Sequence, residues 1–161
     1  MTADAPLTRE SFRRLHSINT PRTVTQLPDR VWTVEEWDRI RRGYRAQSMD
    51  EKWNIFVEGD VLFLHRSWTG HGIYEASFAP VTEGGRKITS AVVEADRQRY
   101  RSSGDEYDRL MLELVINAIV LGEPAADLRA ALVELTARAS GRSDLPSGVV
   151  EHSALGLRSG S

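Results

Sequence analysis

The chain has 161 residues, 40% hydrophobic and 27% charged, which is the balance of a globular domain long enough to enclose a core. Its formal net charge of −2 argues against a whole-domain nucleic-acid binder, so a nucleic-acid partner is not expected. The absence of cysteine excludes disulfides, thiol catalysis and zinc–thiolate sites, and no apolar run approaches the ~20 residues of a membrane span.

The opening "MTADAPLTRE" has no basic stretch leading into an apolar one, so no secretory leader is expected and the cytoplasm is the expected compartment. Residues 1–30 show no clean period and contain Pro6, Pro21 and Pro28; they read as an irregular arm. Arginine outnumbers acid over the first 47 residues, either as a local attractor of phosphate or as an ordinary solvated surface. "TVEE" then makes Thr33 an N-cap with Glu36 three residues later. Val34, Trp37, Ile40 and Tyr44 follow at helical spacing, predicting a helix over 34–47.

The middle of the chain changes period. "KWNIFVE", "DVLFLHRSW", "GIYEASFA" and "RKITSAVVEA" are rich in β-branched and aromatic residues and are separated by turn residues. Gly59-Asp60 is short enough to close a hairpin, and the simplest arrangement is an antiparallel meander of about four strands. Alternation places Leu62, Leu64, Arg66 and Trp68 on one face of the second strand and Val61, Phe63, His65 and Ser67 on the other. "SGDE" predicts a second helix with Ser103 as N-cap and Glu106 reaching back, running through Leu110, Met111, Leu114 and Ile119 to a stop at Gly122. An amphipathic helix over 124–139 follows, and the Ser- and Gly-rich residues 140–161 read as a flexible tail. The expected architecture is α+β: one domain over 31–139 in which the sheet packs against two or three helices.

Within this framework, "DEKWNIFVEGDVLFLHRSWTGHGIYEASF" resembles a small bacterial domain family whose signature runs K-W-F-I-Y, a short hairpin, H-R-S-W-T-G and then I-Y. The likeness covers about residues 49–122, including "DEYD" and "LMLELVINAIVLG"; the arm and the first helix lie outside it. Asn54 departs from it, standing where the family tends to have an aromatic residue, and His71 falls at a variable position. The resemblance implies an association with ADP-ribose-handling modules rather than a defined activity.

The residues themselves point to recognition of an anionic, aromatic ligand. Arg66 offers a rigid fork of donors for phosphate or carboxylate. Trp53 and Trp68 offer faces on which a base can stack, worth ~1–3 kcal/mol per base. Ser67 and Thr69 supply hydroxyls at a strand end, and Gly70 permits close backbone approach. Glu75 or Asp105 would orient His65 or accept a ribose hydroxyl. The ligand-binding candidates are therefore Trp53, His65, Arg66, Ser67, Trp68, Thr69 and Asp105. Each also has a plainer reading. The tryptophans would be core, Arg66 would pair with Glu75, Asp105 or Asp108, His65 would be a half-buried structural histidine, and "DEYD" would cap its helix.

For catalysis the candidates are His65 and Glu75. No P-loop, dinucleotide fingerprint or nucleophile elbow is present, and His16, His65, His71 and His152 lack helical metal-ligand spacing, so no metal and no cofactor is expected. Three functional readings stand: a binding module for a nucleotide or ADP-ribose-like ligand, a protein-interaction module of the immunity or regulatory kind, and a small hydrolase or transferase using His65. Recognition chemistry favours binding over catalysis.

Overall fold

The apolar alternation in the middle of the chain builds a five-stranded antiparallel sheet in the order β1-β5-β4-β3-β2. Its strands are β1 (Pro21–Thr23), β2 (Trp53–Glu58), β3 (Val61–Arg66), β4 (Gly72–Pro80) and β5 (Arg86–Glu94). Among the described residues four α-helices accompany them: α1 (Val34–Arg42), α2 (Asp105–Leu114), α3 (Ala126–Ser140) and α4 (Ser147–Leu155). The computed structural model describes residues 5–82, 84–141 and 146–156. The class is α+β with a meander, as expected; the fifth strand is the addition. It comes from the arm, where Pro21 begins a three-residue edge strand whose residues pair with Val92, Val93 and Glu94.

The β2–β3 hairpin turns at Gly59, whose φ of +62° suits the first position of a two-residue turn. That turn sets Glu58 opposite Val61 and, five rungs along, Trp53 opposite Arg66. One face of the sheet carries Trp53, Ile55, Leu62, Leu64, Tyr74, Ala76, Phe78, Ile88 and Val93, all buried. They join Trp37 and Ile40 of α1, Met111 and Leu114 of α2 and Leu132 of α3 in one core.

Helix α1 has the expected capping box: the Glu36 amide donates to Thr33 Oγ1 at 3.1 Å, and the Glu36 carboxylate accepts from the Thr33 amide at 2.9 Å. The helix stops at Arg42, short of 47, because Gly43 at φ +77° turns the chain so that Tyr44 exchanges backbone hydrogen bonds with Ile55. Helix α2 begins at Asp105, with Gly104 and not Ser103 at the cap; the Ser102 hydroxyl, one residue earlier, accepts from the Gly104 amide. Past Leu114 the helix widens into a π-helical turn over Val115–Val120, where the Leu121 amide reaches back to the Ile116 carbonyl. Buried Asn117 in that turn accepts the indole N–H of Trp32 at 2.9 Å. The flexible tail expected over 140–161 gives way to α4, whose Val150, Ala154 and Leu155 are buried and whose Ala154 carbonyl accepts the Trp53 indole N–H. Residues 142–145 and 157–161 of that expected tail lie outside the described residues. No helix among the described residues is long and apolar enough to cross a membrane.

Candidate functional site: a cationic cleft on Arg66

Arg66 is the last residue of β3 and sits on the core-facing side of the sheet, where an arginine has to be accommodated. Its guanidinium lies over the Trp53 ring at 4.4 Å, the cross-strand partner, and over the Tyr100 ring at 5.4 Å. Stacking supports the flat faces of the group without neutralising its charge. Arg66 Nη1 is buried and has no hydrogen-bond partner among the described residues. A buried charged donor left unpaired is costly, and such orphans in folded proteins call for a ligand or water to complete them.

The carboxylates nearest in expectation are spent elsewhere. Arg22, on the edge strand β1, takes Asp108 at 2.7 Å and Asp105 at 3.1 Å. Asp108 is fully buried and also accepts the Tyr74 hydroxyl at 2.8 Å and the Ser102 hydroxyl at 2.6 Å. The Tyr74 hydroxyl lies 3.0 Å from that of Tyr100, so this chain of bonds locks the ring on which Arg66 rests.

Arg66 opens onto a cleft of about 560 Å³ between the β5–α2 connection, α2, α3 and α4. The connection turns at Asp96, whose side chain accepts the Gln98 amide and whose carbonyl accepts the Arg99 and Tyr100 amides. That turn presents Arg97, Arg99 and Arg101 to the cleft beside Arg66. Arg99 is partly engaged by the Ser17 carbonyl at 3.2 Å and by Glu94 at 3.8 Å, whereas Arg97 and Arg101 have no ion partner among the described residues. Among the described residues no Asp or Glu lines the cleft. The rest of the lining is apolar or neutral and includes Val149, Val150 and Ala154 of α4 and the phenols of Tyr100 and Tyr107. Burial pushes both phenol pKa values above the ordinary tyrosine range, so both remain neutral donors near pH 7.

The other sequence candidates separate from Arg66. Trp53 is core at 1% exposure and, stacked under Arg66, supplies a platform for a guanidinium, not for a base. Trp68 does not share the face of Arg66 as alternation suggested. Strand β3 ends at Arg66, and the turn that follows carries Trp68 out to 59% exposure. Ser67 Oγ donates to the Glu51 carbonyl at 2.6 Å, and exposed Thr69 accepts the His71 amide at 3.2 Å. Asp105 belongs to Arg22 and to the Thr25 hydroxyl, which together hold its carboxyl below the usual range, and it does not line the cleft.

His65 is 2% exposed, with Nδ1–H donating to the Gly70 carbonyl at 2.8 Å, and burial lowers its pKa. Glu75 lies beside Phe63 on the opposite face of the sheet from Arg66, its carboxyl raised by burial. His65 thus has neither the solvent access nor the carboxylate partner that the catalytic reading requires. No group of three or more His, Asp or Glu side chains among the described residues is placed to hold a metal.

Arg97, Arg101, Tyr100 and Tyr107 were not singled out from sequence. The readable signal was "RQRYR", three arginines within five residues just after a strand, a local concentration of positive charge with no acid inside it. In comparisons with known proteins no family model matches the chain, and neither does a curated protein or a solved structure.

Proposed function

We propose that this chain is a binding module for a small organic anion of the nucleotide type, with a phosphate or carboxylate held by Arg66, Arg97 and Arg101. The observation that carries the reading is the buried Nη1 of Arg66, unpartnered among the described residues, in a cleft that no described carboxylate lines. Arg66 supplies the fixed fork for an oxyanion, and Arg97 and Arg101, being exposed, draw the ligand in and close on its far side. The Val149–Val150 wall and the tyrosines accept an apolar or flat body, in keeping with pockets that combine an apolar lining with a few placed polar groups. Nucleotides, NAD and ADP-ribose fit this description by charge and size.

The test is thermal shift of the wild type and of Arg97→Gln/Arg101→Gln, a pair of exposed substitutions, against AMP, NAD, ADP-ribose and ribose 5-phosphate. A ligand at a hundred times its dissociation constant adds about 2.7 kcal/mol, roughly 5–10 °C at this chain length. A shift in the wild type that falls in the double variant and vanishes in Arg66→Lys supports the reading. A panel that leaves the wild-type midpoint unmoved overturns it, as does a shift indifferent to both variants.

A further inference from the structure

A second groove, sharing no lining residue with the cleft, runs between the arm and the turn after β3 and encloses about 440 Å³. It is bordered by Arg13, Arg14, Arg45, Asn54, Ser67 and Trp68, and no acidic residue among the described residues lines it. Three features set it apart from an ordinary polar surface. Trp68 is 59% exposed, whereas Trp32, Trp37 and Trp53 are all buried. Its indole N–H donates to the Met49 carbonyl at 3.1 Å, which fixes the ring without burying it. The three arginines are held by main-chain carbonyls where they are held at all. Arg45 donates to Ser11 at 2.7 Å and lies over the Phe12 ring, and Arg14 donates to Trp68 at 3.5 Å. Arg13 is exposed and has no hydrogen-bond or ion partner among the described residues. Each contact uses one donor and cancels no charge.

Asn54 adds a directional group. Its side-chain oxygen accepts the Ala46 amide at 2.8 Å, so the amide orientation is settled and the NH₂ remains as a donor. A pinned, solvent-facing indole, an oriented amide donor and three uncompensated guanidinium groups are the parts that hold a base and its phosphate.

We infer that this groove is a recognition site for a nucleoside phosphate, the base stacked on Trp68 beside the Asn54 amide and the phosphate taken by Arg13, Arg14 and Arg45. The same chemistry is offered by a free nucleotide and by the end of a single-stranded nucleic acid. The inference stands on different residues from the cleft reading and does not depend on it.

Trp68 is the one exposed tryptophan of the four, so the part of the intrinsic fluorescence that is lost in Trp68→Phe reports on the groove. The full chain is titrated with AMP, with ribose 5-phosphate, which lacks the base, and with an eight-nucleotide single-stranded oligonucleotide. Saturable quenching by AMP or the oligonucleotide, absent with ribose 5-phosphate, is expected. Trp68→Phe should abolish the quenching, and Arg13→Gln/Arg14→Gln, both at exposed positions, should weaken binding at least tenfold. Lys87→Gln, on β5 and lining neither the groove nor the cleft, should leave it unchanged. An oligonucleotide that binds more tightly than AMP, with steeper loss in salt, identifies the strand end as the source; equal binding identifies the free nucleotide. Absence of saturable quenching by both overturns the inference. So does quenching that survives Trp68→Phe, that ignores the arginine substitutions, or that disappears in a folded Arg66→Ala, which would assign the ligand to the cleft instead.

Discussion

Replacing Asp108 with alanine should destabilise the fold by about 3 kcal/mol, the low end of the ~3–5 kcal/mol that follows from breaking a buried ion pair. Asp108 is fully buried and accepts three hydrogen bonds, from Arg22, Tyr74 and Ser102. The substitution does not orphan all three donors. Arg22 keeps Asp105, and its side chain is 39% exposed, so water recovers part of its charge. The Tyr74 hydroxyl keeps Tyr100, and Ser102 keeps the Gly104 carbonyl. At this chain length the loss corresponds to a midpoint lowered by roughly 6–12 °C. Tyr74→Phe, which removes one hydroxyl from the same chain, should cost about 1–2 kcal/mol. Urea unfolding of the two single variants and the double variant then gives the coupling. The double variant should be less destabilised than the sum of the singles, because Asp108→Ala has already removed one of the partners of Tyr74. An Asp108→Ala protein that loses less than about 1 kcal/mol, or singles that simply add, would refute the view of this cluster as one network supporting Arg66.

Burial favours the neutral His65 ring in the fold, so its contribution to stability is whole above the unfolded pKa of ~6.5 and is lost as pH falls below it. The urea midpoint should therefore fall between pH 7 and pH 5 and fall less in His65→Gln; equal slopes would count against the assignment. His71 is lowered in the same direction, so the slope should flatten and not disappear. Gly70→Ala places a Cβ 2.5 Å from the Arg14 carbonyl oxygen at a φ of +77°, and should cost at least about 2 kcal/mol by equilibrium unfolding. Gly59→Ala, at φ +62° with open space around it, should cost only about 1 kcal/mol, and a reversed order would refute the close-approach argument. Glu58→Gln breaks an exposed pair with Arg9 and should change stability by less than about 1 kcal/mol. Arg9→Ala should cost more in the same assay, because Arg9 also lies over the Phe56 and Phe63 rings at 5.2 Å.

The sheet was legible because two signals agreed. Period-2 alternation set the faces and Gly59-Asp60 set the register, and counting back from that turn puts Trp53 opposite Arg66. The capping box at Thr33 was legible for the same reason, since its two bonds are local. What escaped depended on distant partners. Helix α4 lies in a Ser- and Gly-rich stretch, and three of its residues are buried by packing that includes a bond to Trp53, about a hundred residues away in sequence. The end of α1 was set by Tyr44 pairing with Ile55 across the fold, not by its own helical spacing. Trp68 was misplaced by extending the alternation two residues beyond the true end of β3.

The distribution of charge around Arg66 explains why a structural ion pair is the weaker reading of this residue. The chain does contain carboxylates at the start of α2, the element that borders Arg66 through Tyr107. It commits both Asp105 and Asp108 to Arg22 on the edge strand instead. Arg66 receives aromatic faces in their place, and aromatic faces orient a guanidinium while leaving its edge donors unspent. If the role of Arg66 were only to tie β3 to the helices, an acidic partner would do so with stronger bonds and no orphaned donor. Holding Tyr100 through Tyr74 and Asp108, and turning Arg97 and Arg101 toward the same opening, instead concentrates positive charge at one mouth at a cost to the isolated fold. Under the proposed binding role, an anion in the cleft would complete the orphaned donor and offset that cost, which a purely structural arginine would leave standing.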